Sequence, residues 1–127
     1  MAKLNGKISG KCVGDTIPIQ RTFQDVSLVS ATLSQVLFVV KKREKDADAS
    51  AVINITITSG ASSSGTITDA SPSDGSIEFF IKISRAQSSL CKALREYFYG
   101  MATIDTSGEK YTLEKGIFVL EKKIVTV

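Results

Sequence analysis

The chain has 127 residues, 43% hydrophobic and 23% charged, with 16 basic against 13 acidic side chains and a net charge of +3. That length suits one domain with its own core, and the interleaving of the two signs leaves no clustered basic footprint for nucleic acid. The absence of histidine excludes Ser-His-Asp and Cys-His catalysis and histidine-ligated zinc.

The N-terminal MAKLNGKISG lacks the apolar core of a signal peptide. No run approaches the about 18 apolar residues of a membrane span. The protein is therefore expected to start in the cytoplasm, with Cys12 and Cys91 as free, structural thiols. Residues 1–127 read as a single domain in which 1–12 is a candidate flexible N-terminus.

In 15-DTIPIQRTF-23, Ile17, Ile19 and Phe23 share one face of a strand. Pro18 cannot donate to a ladder, so an edge position is expected. The run 32-TLSQVLFVVKK-42 is apolar on both faces and reads as a covered strand. After the charged loop 41–50, alternation is regular in 51-AVINITITS-59, with Ile53, Ile55 and Ile57 on one side. A Gly/Ser connection, 59–65, and a short strand, 65–69, lead to the turn 71-SPSDG-75. Beyond it, 76-SIEFFIKIS-84 points Ile77, Phe79, Ile81 and Ile83 inward.

The period changes in 84-SRAQSSLCKALREY-97. Ala86, Leu90, Ala93 and Leu94 recur at helical spacing, and Ser84 and Gln87 stand as a capping box. The pattern predicts a helix of roughly two to three turns near 85–95. A hairpin follows, from 97-YFYGMATID-105 through a Ser-Gly turn to 117-IFVL-120, and the chain ends on 120-LEKKIVTV-127. The predicted fold is mostly β: an antiparallel sandwich of six to seven strands with one short crossing helix.

Candidate chemistry is sparse. The loop Asp46-Ala47-Asp48-Ala49-Ser50 opens like a calcium loop but lacks its turn glycine and distal glutamate. It reads as a polar hairpin tip balancing Lys41, Lys42, Arg43 and Lys45. Gly60 and Gly65 have no lysine at phosphate-loop spacing. The acidic residues fall in turns or on predicted wet faces, where carboxylates make poor general acids. No enzyme, no cofactor and no metal site is expected. Tyr97, Tyr99 and Tyr111 could form a platform for sugar stacking, although packing is the commoner use of strand tyrosines. A tyrosine at the entry of a late strand can also tie down a neighbouring loop.

The hairpin raises a different possibility. Tyr97, Tyr99 and Met101 lie on one face of its first strand and Phe98, Ala102 and Ile104 on the other, while 117–120 is apolar on both. One sandwich core uses only one of those faces, and surplus apolar strand surface marks subunit contacts. Tyr99, Met101, Ile117 and Val119 are the candidate interface residues, and the expected partner is a second copy or another structural protein, not nucleic acid or membrane.

The order 14-GDTIP-18, 36-VLFVVKK-42, 74-DGSIEFFI-81, a short helix, 97-YFYGMATID-105 and 107-SGEKYTLEKGIF-118 resembles the small Ig-like β-sandwich domains of tailed-phage and prophage structural proteins. The likeness is greatest to the N-terminal domain of upper baseplate proteins and spans roughly residues 10–120. It implies a virion tail or baseplate component, made in the bacterial cytoplasm, that forms a cyclic homo-oligomer and docks on other tail proteins. Those proteins usually continue into fibre or receptor-binding regions, which the 127 residues here do not include. The alternative is a carbohydrate-binding or adhesin-type sandwich that contacts a cell surface.

Overall fold

The computed structural model describes residues 3–24, 33–58, 61–62, 64–69 and 76–122. They form a β-sandwich. Its strands are β1 (Lys3–Cys12), β2 (Ile17–Gln24), β3 (Leu33–Lys41), β4 (Ile53–Thr58), β5 (Ala61–Ser62, two residues only), β6 (Gly65–Asp69), β7 (Ser76–Ile83), β8 (Tyr97–Asp105) and β9 (Lys110–Glu121). One sheet has the order β1-β9-β8-β3-β4 and the other β2-β7-β6-β5.

The core lies between the inner faces of the two sheets. Each strand contributes alternate residues, because successive side chains of a strand point to opposite faces. On β7 these are Ile77, Phe79, Ile81 and Ile83, all fully buried; β4 adds Ile53, Ile55 and Ile57, and β3 adds Val36, Phe38 and Val40. Each such side chain contributes about 1.5–3 kcal/mol of transfer free energy. Phe38 anchors the five-stranded side, edge-on to Phe118 at 6.5 Å and tilted against Tyr99 at 6.2 Å.

Three sequence expectations are corrected. The candidate flexible N-terminus is a strand from Lys3 onward, and it runs parallel to β9. The first sheet is therefore mixed, whereas an antiparallel sandwich was expected. The parallel pair depends on two facing glycines: a Cβ on Gly116 would collide with the Gly6 backbone.

The crossing helix is the single turn Arg85–Ser88. Its capping box forms as predicted: Ser84 Oγ accepts from Gln87 N at 3.1 Å and Gln87 Oε1 from Ser84 N at 2.9 Å. Leu90 and Leu94 then point to solvent, 63% and 68% exposed, while Cys91 is buried. The turn closes at its C-cap Ser89, and further on Leu94 takes a positive φ of 63° and gives its N–H to the Leu120 carbonyl at 2.7 Å. A bond to the neighbouring strand replaces the helical one.

The expected edge position of β2 agrees with the sheet order. The turn 71–75 and the residues beyond Lys122 lie outside the described residues, as does part of the 59–65 connection.

Candidate functional site

The hairpin β8–β9 organises the molecule. Its turn is held by Asp105, whose Oδ1 accepts the backbone N–H groups of Ser107 and Glu109, both at 2.9 Å. Gly108 takes the positive φ, 88°, that the turn requires. Along β8, Tyr97, Tyr99, Met101, Thr103 and Asp105 are buried, whereas Phe98, Gly100 and Ile104 on the other face are partly exposed. Two-sided apolarity is thus real, but its inner side belongs to the domain's own core.

This divides the four predicted interface residues. Tyr99 and Met101 are 3% and 0% exposed and are withdrawn as surface candidates. Ile117 and Val119 sit on the outer face, half-buried. The register explains the division, since Ile117 faces Phe98, and Tyr99 faces Gly116. Residues 99 and 117 therefore point to opposite sides of one sheet.

The outer face gathers Leu37 and Val39 from β3, Phe98 and Ile104 from β8, and Ile117 and Val119 from β9, all half-buried. A groove of about 210 Å³ crosses it, lined by Leu37, Val39, Gly100 and Ala102. Gly100 leaves that space open, because the nearest atom to a Cβ built there is Val39 Cγ2, 3.9 Å away. Lys41, Lys110 and Lys115 also line the groove, together with Glu44 and Asp48 of the charged loop.

That loop folds back toward the face. Lys41 Nζ meets Asp48 Oδ1 at 2.7 Å and Lys115 Nζ meets Glu44 Oε1 at 3.4 Å. The hydrogen bond from Lys41 holds the Asp48 carboxyl below its ordinary pKa. Asp46 pairs with Arg43 at 3.3 Å. These carboxylates are engaged with cations of their own loop and strands. Among the described residues no three metal-ligating side chains converge.

A second feature went unread in the sequence. Glu114 is 1% exposed in the core. It accepts from Arg21 Nε at 3.0 Å and Nη2 at 3.4 Å, and from the Tyr99 hydroxyl in a short hydrogen bond. Arg21 comes from the opposite sheet, so the cluster ties the two layers together. Gly6 packs directly over it, and a Cβ there would strike the Tyr99 hydroxyl. Burial, and then the Glu114 carboxylate, push the Tyr99 pKa far above its ordinary value. All three groups are spent on one another.

The cause of Glu114's burial is a β-bulge: the register slips between Met101, opposite Glu114, and Ala102, opposite Thr112. Leu113 and Glu114 consequently both face inward. Arg21 had a legible signal, because it shares the parity of Ile17, Ile19 and Phe23.

Tyr97 is also buried, its hydroxyl accepting the Lys92 N–H at 2.8 Å, with the Arg95 guanidinium 5.4 Å from the ring centre. It ties the 89–96 connection to the entry of β8. Tyr97 and Tyr99 are therefore withdrawn from any sugar-stacking platform, leaving Tyr111 partly exposed and 3.4 Å from Asp105 Oδ2. Cys12 and Cys91 are both free. No helix among the described residues is long and apolar enough to cross a membrane. No family model matches the chain, and no curated protein matches it.

Proposed function

We propose that this protein is an architectural component of a bacteriophage or prophage virion, a tail or baseplate building block that works through protein–protein contacts. The observation that carries the assembly role is the outer face of the β1-β9-β8-β3-β4 sheet, where β3, β8 and β9 each present apolar side chains. A monomer with a wet outer sheet face would alternate apolar with polar residues there, as β4 does with Asn54, Thr56 and Thr58. On the three central strands the outer face instead gathers Leu37, Val39, Phe98, Ile104, Ile117 and Val119, with Gln35, Lys41, Lys110, Thr112 and Lys115 beside them.

The strand order supports the Ig-like part of the reading. With β2, β3, β4, β6, β7, β8 and β9 taken as B, C, C′, D, E, F and G, the neighbours B-E-D and G-F-C-C′ are those of an Ig-like sandwich. Tyr97 then stands at the entry of strand F with its hydroxyl bonded to upstream backbone, where the tyrosine corner belongs. The virion assignment rests on the resemblance of strands and turns to tailed-phage structural domains.

Light scattering at micromolar concentration tests the face. The parent is expected to self-associate, or to bind a tail protein encoded beside it. Ile117→Lys and Val119→Lys together are expected to remove the share of that association that runs through this face, without loss of fold. A double variant that associates like the parent would show this face to be ordinary surface.

A further inference from the structure

A sheet edge is a row of backbone donors and acceptors that will pair with any compatible strand, and proteins block edges with lysine, proline, bulges or shortness. Among the described residues the sandwich has four edge strands: β1, β4, β2 and β5. Three are blocked. β1 carries exposed Lys7 and Lys11 and two register irregularities. Pro18 removes a donor from β2, and β5 is two residues long.

β4 has none of these devices. Its sequence is INITIT, it pairs with β3 along all six residues without a register shift, and among the described residues nothing pairs with its other side. No residue in it is charged, and the neighbouring charged loop meets it at Asn54, whose Nδ2 donates to the Asp48 carbonyl at 3.3 Å. The ion pairs Lys41–Asp48 and Lys115–Glu44 pull that loop toward β3 and β9.

We propose that β4 is a self-association edge, pairing antiparallel with β4 of a second copy about a two-fold axis perpendicular to the sheet. The pattern is self-complementary. Apolar residues of β4 face the core and polar ones face solvent in strict alternation, so only an even register keeps both cores on the same side. With Thr56 on the axis, Asn54 meets Thr58 and Ile55 meets Ile57, each twice. In this register the 3-10 turn Asp48–Ser50 stands at the Asn54 end of the paired segment, held there by the Asn54 side chain. Thr–Thr and apolar cross-strand pairs of this kind are favourable, and the absence of charge removes the repulsion that identical strands otherwise suffer.

The result is a continuous ten-stranded sheet whose two outer faces lie side by side. Five paired residues form a small interface, so the contact is weak in dilute solution and gains from the local concentration of an array. The inference uses a surface different from the one proposed above, and either can fail alone.

Sedimentation equilibrium over a range of concentrations tests it, with cross-linking as a second readout in a Cys12→Ser background. The parent is expected to dimerise, and Thr56→Lys, which sets two ammonium groups at the axis, to weaken dimerisation at least tenfold. Ile117→Lys with Val119→Lys is expected to leave this dimer in place. Thr56→Cys brings two Cα atoms to about 4.5–5.5 Å, within disulfide range, and should oxidise to a covalent dimer. Asn54→Cys, separated from its mate by about four residues or roughly 13 Å, should not. A parent monomeric at every concentration, a dimer indifferent to Thr56→Lys, or equal cross-linking from positions 54 and 56 would each overturn the proposal.

Discussion

Replacing Arg21 with methionine removes both guanidinium hydrogen bonds to Glu114, at 3.0 and 3.4 Å, and leaves a carboxylate that is 1% exposed with only the Tyr99 hydroxyl as partner. Breaking a fully buried ion pair from one side costs about 3–5 kcal/mol, because the remaining charge keeps its desolvation penalty. The Arg21 side chain is 30% exposed, and water entering at its site will solvate part of the abandoned charge. The lower end, about 3 kcal/mol, is therefore expected. For a domain of this size that corresponds to a fall in Tm of about 12 °C, measured by calorimetry and checked by urea unfolding with an unchanged m value. Adding Glu114→Gln should recover at least half of the loss, since the amide carries no charge and can still accept from Tyr99. An Arg21→Met variant within about 0.5 kcal/mol of the parent, the range of ordinary surface substitutions, would refute the claim that this pair holds the two sheets together.

Tyr99 stays neutral in the fold well above the pH at which it ionises in the unfolded chain. Its contribution is complete below about pH 10 and is lost above it, by up to about 1.4 kcal/mol per pH unit. Tyr99→Phe should flatten that part of the alkaline unfolding curve, and parallel curves would refute the assignment. Thr103 is fully buried and its hydroxyl has no hydrogen-bond partner among the described residues; Thr103→Val should stabilise the protein by about 1 kcal/mol, and a destabilisation of that size would point to a partner for Oγ1. Burial raises the Cys91 thiol to about 11, so at pH 8 Cys91 should resist iodoacetamide in the native protein and react on unfolding. Alkylation under denaturing conditions without reductant should modify both cysteines.

The strands were legible wherever apolar alternation was intact. Ile53, Ile55, Ile57 and the 77–83 series occupy the inner positions that period two assigns them. β1 was hidden because one of its inward positions is Gly6, which carries no hydrophobic signal yet is required for close contact with Gly116. The Ala86, Leu90, Ala93 and Leu94 spacing misled: one capped turn is too short to be held by local propensity, and the Leu94 N–H bonds to Leu120 of β9. The candidate site was half legible. Apolarity on both sides of β8 and β9 could be seen, but choosing a face required the inter-strand register. The one-residue bulge at Leu113–Glu114 changed the parity on which any such choice depends.

The most direct test of the central claim is quantitative mass spectrometry of phage particles purified from cells that carry this gene. A tail or baseplate building block should be recovered at a fixed copy number per particle, commensurate with the symmetry of a tail ring, and should remain after washing in high salt. Particles that are complete and infectious without the protein would contradict the account.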